Sequence, residues 1–342
     1  MGTVAVPSAP PKAPAPSGRR GRLFVTCAAV AAVLAVAAPA AAGGSTEAVR
    51  PRSPYAAGGD GRAAEVRGGG GGGTILAASL RGRNEVAQPG GPAADDPDGT
   101  ALQFVEVEGD EVSVAVEWRG TGRPVGLRLH EGGDGADGSV RVDFTGQLDR
   151  ARQRTFTGRV EVRDAALLER LRTEPEDFYA NLYTSEFPGG AVRGRLHHVT
   201  TPFDFRYALR SFQAAVVEGE QVYVCKEAAD GTTAFAQRDV RARLDRGVRH
   251  SFVAPDSGTP QWVAPDRSAV TGTVLTRTPN GDGNIPELDL GATPSGARHG
   301  LFAGVAEVLR LNTVGGAAPA GSCRTGTVVG VPYRADYVFV RS

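Results

Sequence analysis

Methionine, histidine and cysteine are scarce in this chain of 342 residues, with one Met, five His and three Cys. No G-x-S-x-G, H-E-x-x-H or C-x-x-C occurs, so the sequence marks of serine hydrolases, zincins and thioredoxin-like proteins are missing. No long amphipathic helix pattern and no βαβ rhythm appears, which argues against a parallel-sheet enzyme fold. Charge blocks of one sign are also missing. The chain has 38 Lys+Arg against 38 Asp+Glu. Four of the basic residues (Lys12, Arg19, Arg20 and Arg22) fall in the first 22 positions, and without them the remainder carries a net charge of −4. A mildly acidic, unclustered balance argues against nucleic acid and anionic membrane as partners. Glycine (47) and proline (23) are plentiful, which suits a turn-rich fold and a high-GC bacterial origin.

Residues 1–42 have the three parts of a secretory signal: a basic n-region, an uncharged run from Leu23 to Ala42, and small residues at the end. Arg19-Arg20 and the Ala-rich apolar core also suit the twin-arginine route, so both Sec and Tat export stay open. About 20 apolar residues can span a bilayer, so an uncleaved anchor is the alternative, and membrane is a partner only in that case. Cys27 precedes most of the apolar run, which argues against lipidation there. It would leave with the signal, so the mature chain keeps only Cys225 and Cys323. An even pair in an exported chain reads as one disulfide, worth roughly 4–5 kcal/mol for a loop of about 100 residues in the chain-entropy model. Two buried thiols are the alternative.

Residues 43–73 read as a disordered Gly-rich linker, with Gly68–Gly73 as an unbroken run. From Thr74 onward, short runs alternate polar and apolar residues, as in Glu111–Trp118 and Thr155–Val162. Period-two runs between Gly/Asp/Pro clusters are expected to be half-buried antiparallel strands. Only Asp164–Arg172 looks helical, with Ala165, Leu168 and Leu171 on one face and Asp164 as N-cap. Thr201-Pro202 makes a seam. Beyond it the expected strands are Gln221–Cys225, His250–Val253, Ala269–Leu275, Leu301–Leu311 and Tyr333–Val340, the last placing Tyr333, Ala335, Tyr337 and Phe339 on one face. The expected fold is mainly β: two tandem antiparallel sandwich- or barrel-like domains, 74–200 and 201–342, after the signal and linker.

Residues 74–198 resemble the CHRD (chordin-type) family in three segments. Leu76–Val86 is similar to its opening L-x-G-x-x-E-V-P strand, Leu129–Gly138 to its H-I-H-x-G turn, and Tyr179–Leu196 to its closing Y-V-N-V-H-T…P-G-G-E-I-R-G-Q-L run. Two family histidines fall on Arg128 and Tyr183, and only His130 survives. One His with a Tyr and an Arg is a poor metal site. Residues 204–342 resemble a secreted family of unknown function, number 3455 in its series. Gly219–Cys225, Gly258–Trp262, Asp266–Gly272, Val308–Pro319 and Val331–Phe339 carry that resemblance. The family's two cysteines match Cys225 and Cys323, which independently implies their pairing. The resemblance implies no activity.

Other motifs are weaker. Gly133-x-Gly135-x-x-Gly138 fits a dinucleotide pattern but leads into a strand, not a helix. Asn280-x-Asp282-x-Asn284, with Glu287 and Asp289 nearby, offers alternate oxygen ligands, so calcium near Asp282 is the one cofactor to test; a solvated turn is the plainer reading. His197-His198 reads as an end-of-strand pair. The candidate binding residues are His130, Tyr183, Trp262, Asp266 and Arg310, and no catalytic residue is assigned. The expected function is a non-catalytic, secreted module that binds an extracellular ligand or cell-surface component. An unrecognised extracellular hydrolase or oxidoreductase in the second domain is the alternative. A deep pocket lined by Trp262, Asp266, His250 or Arg310 would favour the enzyme.

Overall fold

The computed structural model describes residues 73–133 and 135–342. The expected signal and linker lie outside the described residues. Among the described residues no helix is long and apolar enough to cross a membrane.

The first domain is a nine-stranded antiparallel sheet. Its strands are β1 (Thr74–Arg81), β2 (Thr100–Glu108), β3 (Glu111–Arg119), β4 (Pro124–Glu131), β5 (Ser139–Asp143), β6 (Thr155–Glu161), β7 (Phe178–Thr184), β8 (Val192–Arg195) and the short β9 (His197–His198). The order is β5-β4-β7-β8-β1-β2-β3-β6, with β9 also on β1. One face holds a core of Leu76, Leu80, Val105, Val114, Trp118, Leu127 and their neighbours. The expected helix is α1 (Ala165–Thr173), and the Asp164 carboxylate accepts from Leu167 N–H at 3.0 Å. Leu167, Leu168 and Leu171 are its buried residues; Ala165 is exposed, against expectation.

The second domain is a closed eight-stranded meander barrel. It runs through β10 (Phe212–Glu227), β11 (Thr233–Leu244), β12 (Arg249–Phe252), β13 (Pro260–Val263), β14 (Ala269–Thr278), β15 (Glu287–Pro294), β16 (Val305–Gly315) and β17 (Val328–Arg341). An eight-stranded barrel is just wide enough for side chains to fill. Here they do: Trp262, Tyr333, Tyr337, Phe339 and Phe302 belong to its core. The expected alternation of β17 holds, with Tyr333, Ala335, Tyr337 and Phe339 all at most 4% exposed. The strand expected from Leu301 starts only at Val305, because residues 301–304 form a turn. Cys225 and Cys323 form the expected disulfide, 98 positions apart. It ties β10 to the loop before β17. Replacing both by serine should cost about 2–4 kcal/mol by urea denaturation.

The half-buried expectation fails where the two domains meet. On β1 and β2, Leu76, Val105 and Val107 face the first core, while Ile75, Ala77, Leu102 and Phe104 face a second one. That second core is completed by Leu309 and Leu311 of β16 and Val338 and Val340 of β17. The seam after Thr201 packs into it as well: Phe203 stacks on Phe104 with ring centroids 5.3 Å apart. The two sheets are therefore joined by a third apolar layer.

Gln103 is a polar defect in the first core. It is fully buried, and neither its amide nitrogen nor its oxygen has a partner. A buried amide without hydrogen bonds costs about 1–3 kcal/mol. Gln103→Met keeps the volume and should raise stability by a similar amount in urea denaturation.

Candidate binding cleft

The turn after β1, the strands β7 and β8 and the loop after β4 come together against the β14–β15 turn and β16. Between them lies a cleft of about 310 Å³. From the first domain it is lined by Asn84, Glu85, Tyr179 and Arg193, with the backbone of Gly132 and Gly133; from the barrel it is lined by Asn280, Asn312 and Val314, among others.

Arg193 organises the first-domain wall. It is 4% exposed, its Nη2 donates to the carbonyls of Gly133 (3.0 Å) and Ala136 (2.8 Å), and its guanidinium lies 3.5 Å over the Tyr179 ring. This holds the glycine loop against the sheet. Behind it, Asn181 Nδ2 donates to Glu85 at 3.2 Å. The Glu85 carboxyl packs on Gly190, whose φ is +126°; a Cβ there would lie within 2.6 Å of the carboxyl oxygen. The Gly-Gly of the closing motif thus makes room for the Glu of the opening one. Burial pushes the Glu85 carboxyl up to about 8, although the Arg193 charge and the Asn181 hydrogen bond pull it down. Glu85 Oε1 and Asn181 Oδ1 are buried without a hydrogen-bond partner.

The barrel wall is built on a β-bulge in β16. Asn312 adopts φ 52°, a left-handed conformation that Asn tolerates better than most residues. Its Nδ2 donates to Ser79 O (2.9 Å) and Asp336 (2.8 Å), and its Oδ1 accepts from Asn84 (3.0 Å). Its backbone N–H donates to Glu287 at 2.5 Å, and the other Glu287 oxygen lies 3.3 Å from His197 Nε2. At Gly316 (φ +81°) a Cβ would meet Tyr333 at 2.8 Å. At Gly315 (φ +72°) it would meet Pro332 O at 2.8 Å, so both glycines after the bulge are accounted for.

His130 and Tyr183 do come together, at the back of the first-domain wall. His130 Nδ1 contacts the carbonyl of Gly138 at 2.9 Å, so it carries the proton, and Nε2 then accepts from the Tyr183 hydroxyl at 2.9 Å. Burial lowers the His130 pKa and raises that of Tyr183 to about 12. Arg128 lies over the Tyr183 ring at 5.0 Å and pairs with Asp143. The three family histidine positions are therefore neighbours, but both nitrogens of the remaining imidazole are already engaged. Its role here is to orient Tyr183 and fix the Gly138 turn.

Three barrel candidates do not line this cleft, which corrects their assignment. Trp262 is a core residue, 1% exposed, stacked on His250 at 4.5 Å. Arg310 is 9% exposed and pairs in register with Tyr337, and its Nε and Nη2 donate to Pro286 O. Asp266 is exposed and staples a turn, accepting from Ser268 N, Ser268 Oγ and Leu301 N. A side chain facing into a closed barrel of this size is packed rather than presented. The calcium expectation near Asp282 is corrected likewise. Asn280 Nδ2 clasps Thr313, Asn284 bridges Asn280 O and Gly315 N, and Asp289 accepts from Thr200; among the described residues no three His, Cys, Asp or Glu group together to hold a metal ion. His197-His198 ends the first sheet as expected, but His197 also reaches Glu287 of the barrel.

Residues 76–196 match the model of the CHRD domain family. The chain carries a CHRD domain. Residues 241–341 match a family described as a protein of unknown function, DUF3455; the match starts inside β11 and leaves out β10. No curated protein and no solved structure matches the chain. Glu85, Tyr179, Asn181 and Arg193 all come from the CHRD opening and closing segments. Asn312 and Thr313 come from the Leu-Asn-Thr-Val-Gly-Gly run of the second family. Asn181, Arg193, Asn312 and Thr313 do not stand out in the sequence because they are polar residues inside strands, and Glu85 because it follows a turn. A charged or amide residue in an otherwise apolar run, as in Phe-Tyr-Ala-Asn-Leu-Tyr (178–183), is the mark that could have flagged them.

Proposed function

We propose that this chain is an exported, non-catalytic binding protein whose recognition site is the cleft between the CHRD domain and the barrel. One observation carries the reading: motif residues of both families, more than 100 positions apart, form the two walls of a single cleft. Clefts at domain junctions are common ligand sites, and this one falls at the small end of their usual range, about 300–1,000 Å³. The disulfide supports export, since such bonds persist in oxidising compartments. The non-catalytic reading is supported by the partners of the titratable groups; of the Glu85 and Glu287 carboxyl oxygens, Glu85 Oε1 alone lacks one. Glu85 faces Gly190 and Asn181, both His130 nitrogens are bonded, and Glu287 is held by Asn312 and His197.

A thermal-shift screen of the intact protein against a chemically mixed library tests this. At position 133 an added Cβ meets open space and no positive φ is involved, so Gly133→Trp should fold while obstructing the cleft. At least one compound is expected to stabilise the wild type and to lose its effect in Gly133→Trp. Stabilisers that act equally on the variant would refute the cleft as the site.

A further inference from the structure

The hydrogen bonds around the cleft select for a ligand. Asn84 Nδ2 donates to Arg193 O at 3.1 Å, and Asn280 Nδ2 donates to Thr313 O at 2.9 Å. A carbonyl partner fixes which end of each amide is nitrogen. Both amides line the cleft with their donors turned into the protein, so what they leave to a ligand is acceptor oxygen. Arg193 spends its Nη2 on Gly133 O and Ala136 O, and Arg83 gives Nη2 to Asp336 at 2.9 Å. Nearby, the acceptor Asn181 Oδ1 and the donor Arg193 Nη1 are both buried without a hydrogen-bond partner.

A wall that carries both amide oxygens and guanidinium donors favours a ligand whose groups both donate and accept. Hydroxyls do both, whereas the ammonium groups of a polyamine only donate and carboxylate oxygens only accept. Arg83, Arg193 and Arg195 line the cleft together with Glu85 and Glu287; Arg83 pairs with Asp336, and Asp137 lies 3.6 Å from Arg193. These charges offset one another, which favours a neutral ligand over a cation or an anion. What remains is a neutral ligand carrying several hydroxyls. From this complementarity we infer that the cleft binds a neutral saccharide, one or two sugar units of a longer glycan fitting its volume. This rests on the cleft being the recognition site.

The test is binding of the intact protein to an array of neutral oligosaccharides, with spermidine and citrate as the cationic and anionic probes in calorimetry. Two variants obstruct the cleft from opposite walls: Gly133→Trp, and Val314→Trp at a residue 50% exposed. Each is first checked for an unchanged melting temperature. Saturable binding of at least one neutral glycan is expected, weakened at least tenfold by either variant. Spermidine or citrate binding that both variants abolish, with no glycan bound, would overturn the ligand class while leaving the cleft as the site. Glycan binding that neither variant weakens would overturn both. An array with no glycan bound at all would overturn the saccharide alone, and the library screen would still decide the cleft.

Discussion

Asp336→Ala should destabilise the protein by about 3–5 kcal/mol and split one cooperative unfolding transition into two. Asp336 lies on β17, is fully buried, and accepts from Arg81 (3.1 and 2.7 Å), Arg83 (2.9 Å) and Asn312 (2.8 Å). It is thus the barrel's single anchor for two arginines of the CHRD domain. Removing it strands the Arg81 guanidinium, whose side chain is only 13% exposed, beside an apolar layer. A buried charge that loses its partner costs far more than the pair contributes by being there. A second variant separates the two effects. In Arg81→Met/Asp336→Leu the buried Arg81 charge is gone, and Arg83, whose side chain is 38% exposed, is left to water, so most of the stability should return. Urea denaturation of both variants, followed by tryptophan fluorescence and circular dichroism, measures this; Trp118 sits in the first core and Trp262 in the barrel. An Asp336→Ala protein as stable as wild type would show that the apolar layer alone joins the domains.

Architecture was legible where one rule acts at a time. The period-two runs, α1 with its Asp164 cap and the cysteine pair each depend on local pattern or on a count. The inner face of β17 was also readable, because Tyr333, Ala335, Tyr337 and Phe339 are all apolar. Its outer face was not. Val338 and Val340 look like ordinary strand residues until the CHRD sheet is laid on them, and no periodicity tells which partner a face will meet. The cleft was hidden for the same reason. Arg193 gains its role only from carbonyls at 133 and 136 and a ring at 179, and Asn312 only from Ser79 and Asp336. The barrel candidates failed differently. Trp262 and Arg310 stand out by residue type, but residue type does not report the side of a barrel wall. Packing against His250 and Tyr337 decides that, and it places both inside.

Stability should peak at about pH 5–6.5 and fall between pH 6.5 and 8. The sign follows from which groups are buried in the wrong charge state. Burial raises the Glu85 carboxyl from 4.5 to about 8. It also raises the pair formed by Glu307 and Asp289, which lie side by side on β15 and β16. Glu307 is fully buried and accepts from the backbone N–H of Thr200 and Thr201, and no arginine or lysine pairs with it. A carboxyl raised in the folded state binds a proton that the unfolded chain has released. Its contribution is full below about pH 4.5 and is lost as pH climbs toward the folded value. Histidines push the other way. Burial lowers His250 from 6.5 to about 3 and lowers His130 and His198 as well, so their contribution is full above about pH 6.5 and is lost as pH falls. From pH 4.5 to 6.5 the two sets oppose each other and the profile is flat. From 6.5 to 8 only the carboxyls act. Glu85 alone then accounts for a loss of about 2 kcal/mol, at about 1.4 kcal/mol per tenfold change in acidity constant, and Glu307 adds to it. Urea midpoints at pH 5, 6.5 and 8 measure the profile. Glu85→Gln and Glu307→Gln should each flatten the alkaline fall, because an amide cannot ionise. A wild-type midpoint that held level or rose from pH 6.5 to 8 would mean that these carboxyls are already ionised in the folded protein, and that Arg193 outweighs burial at Glu85.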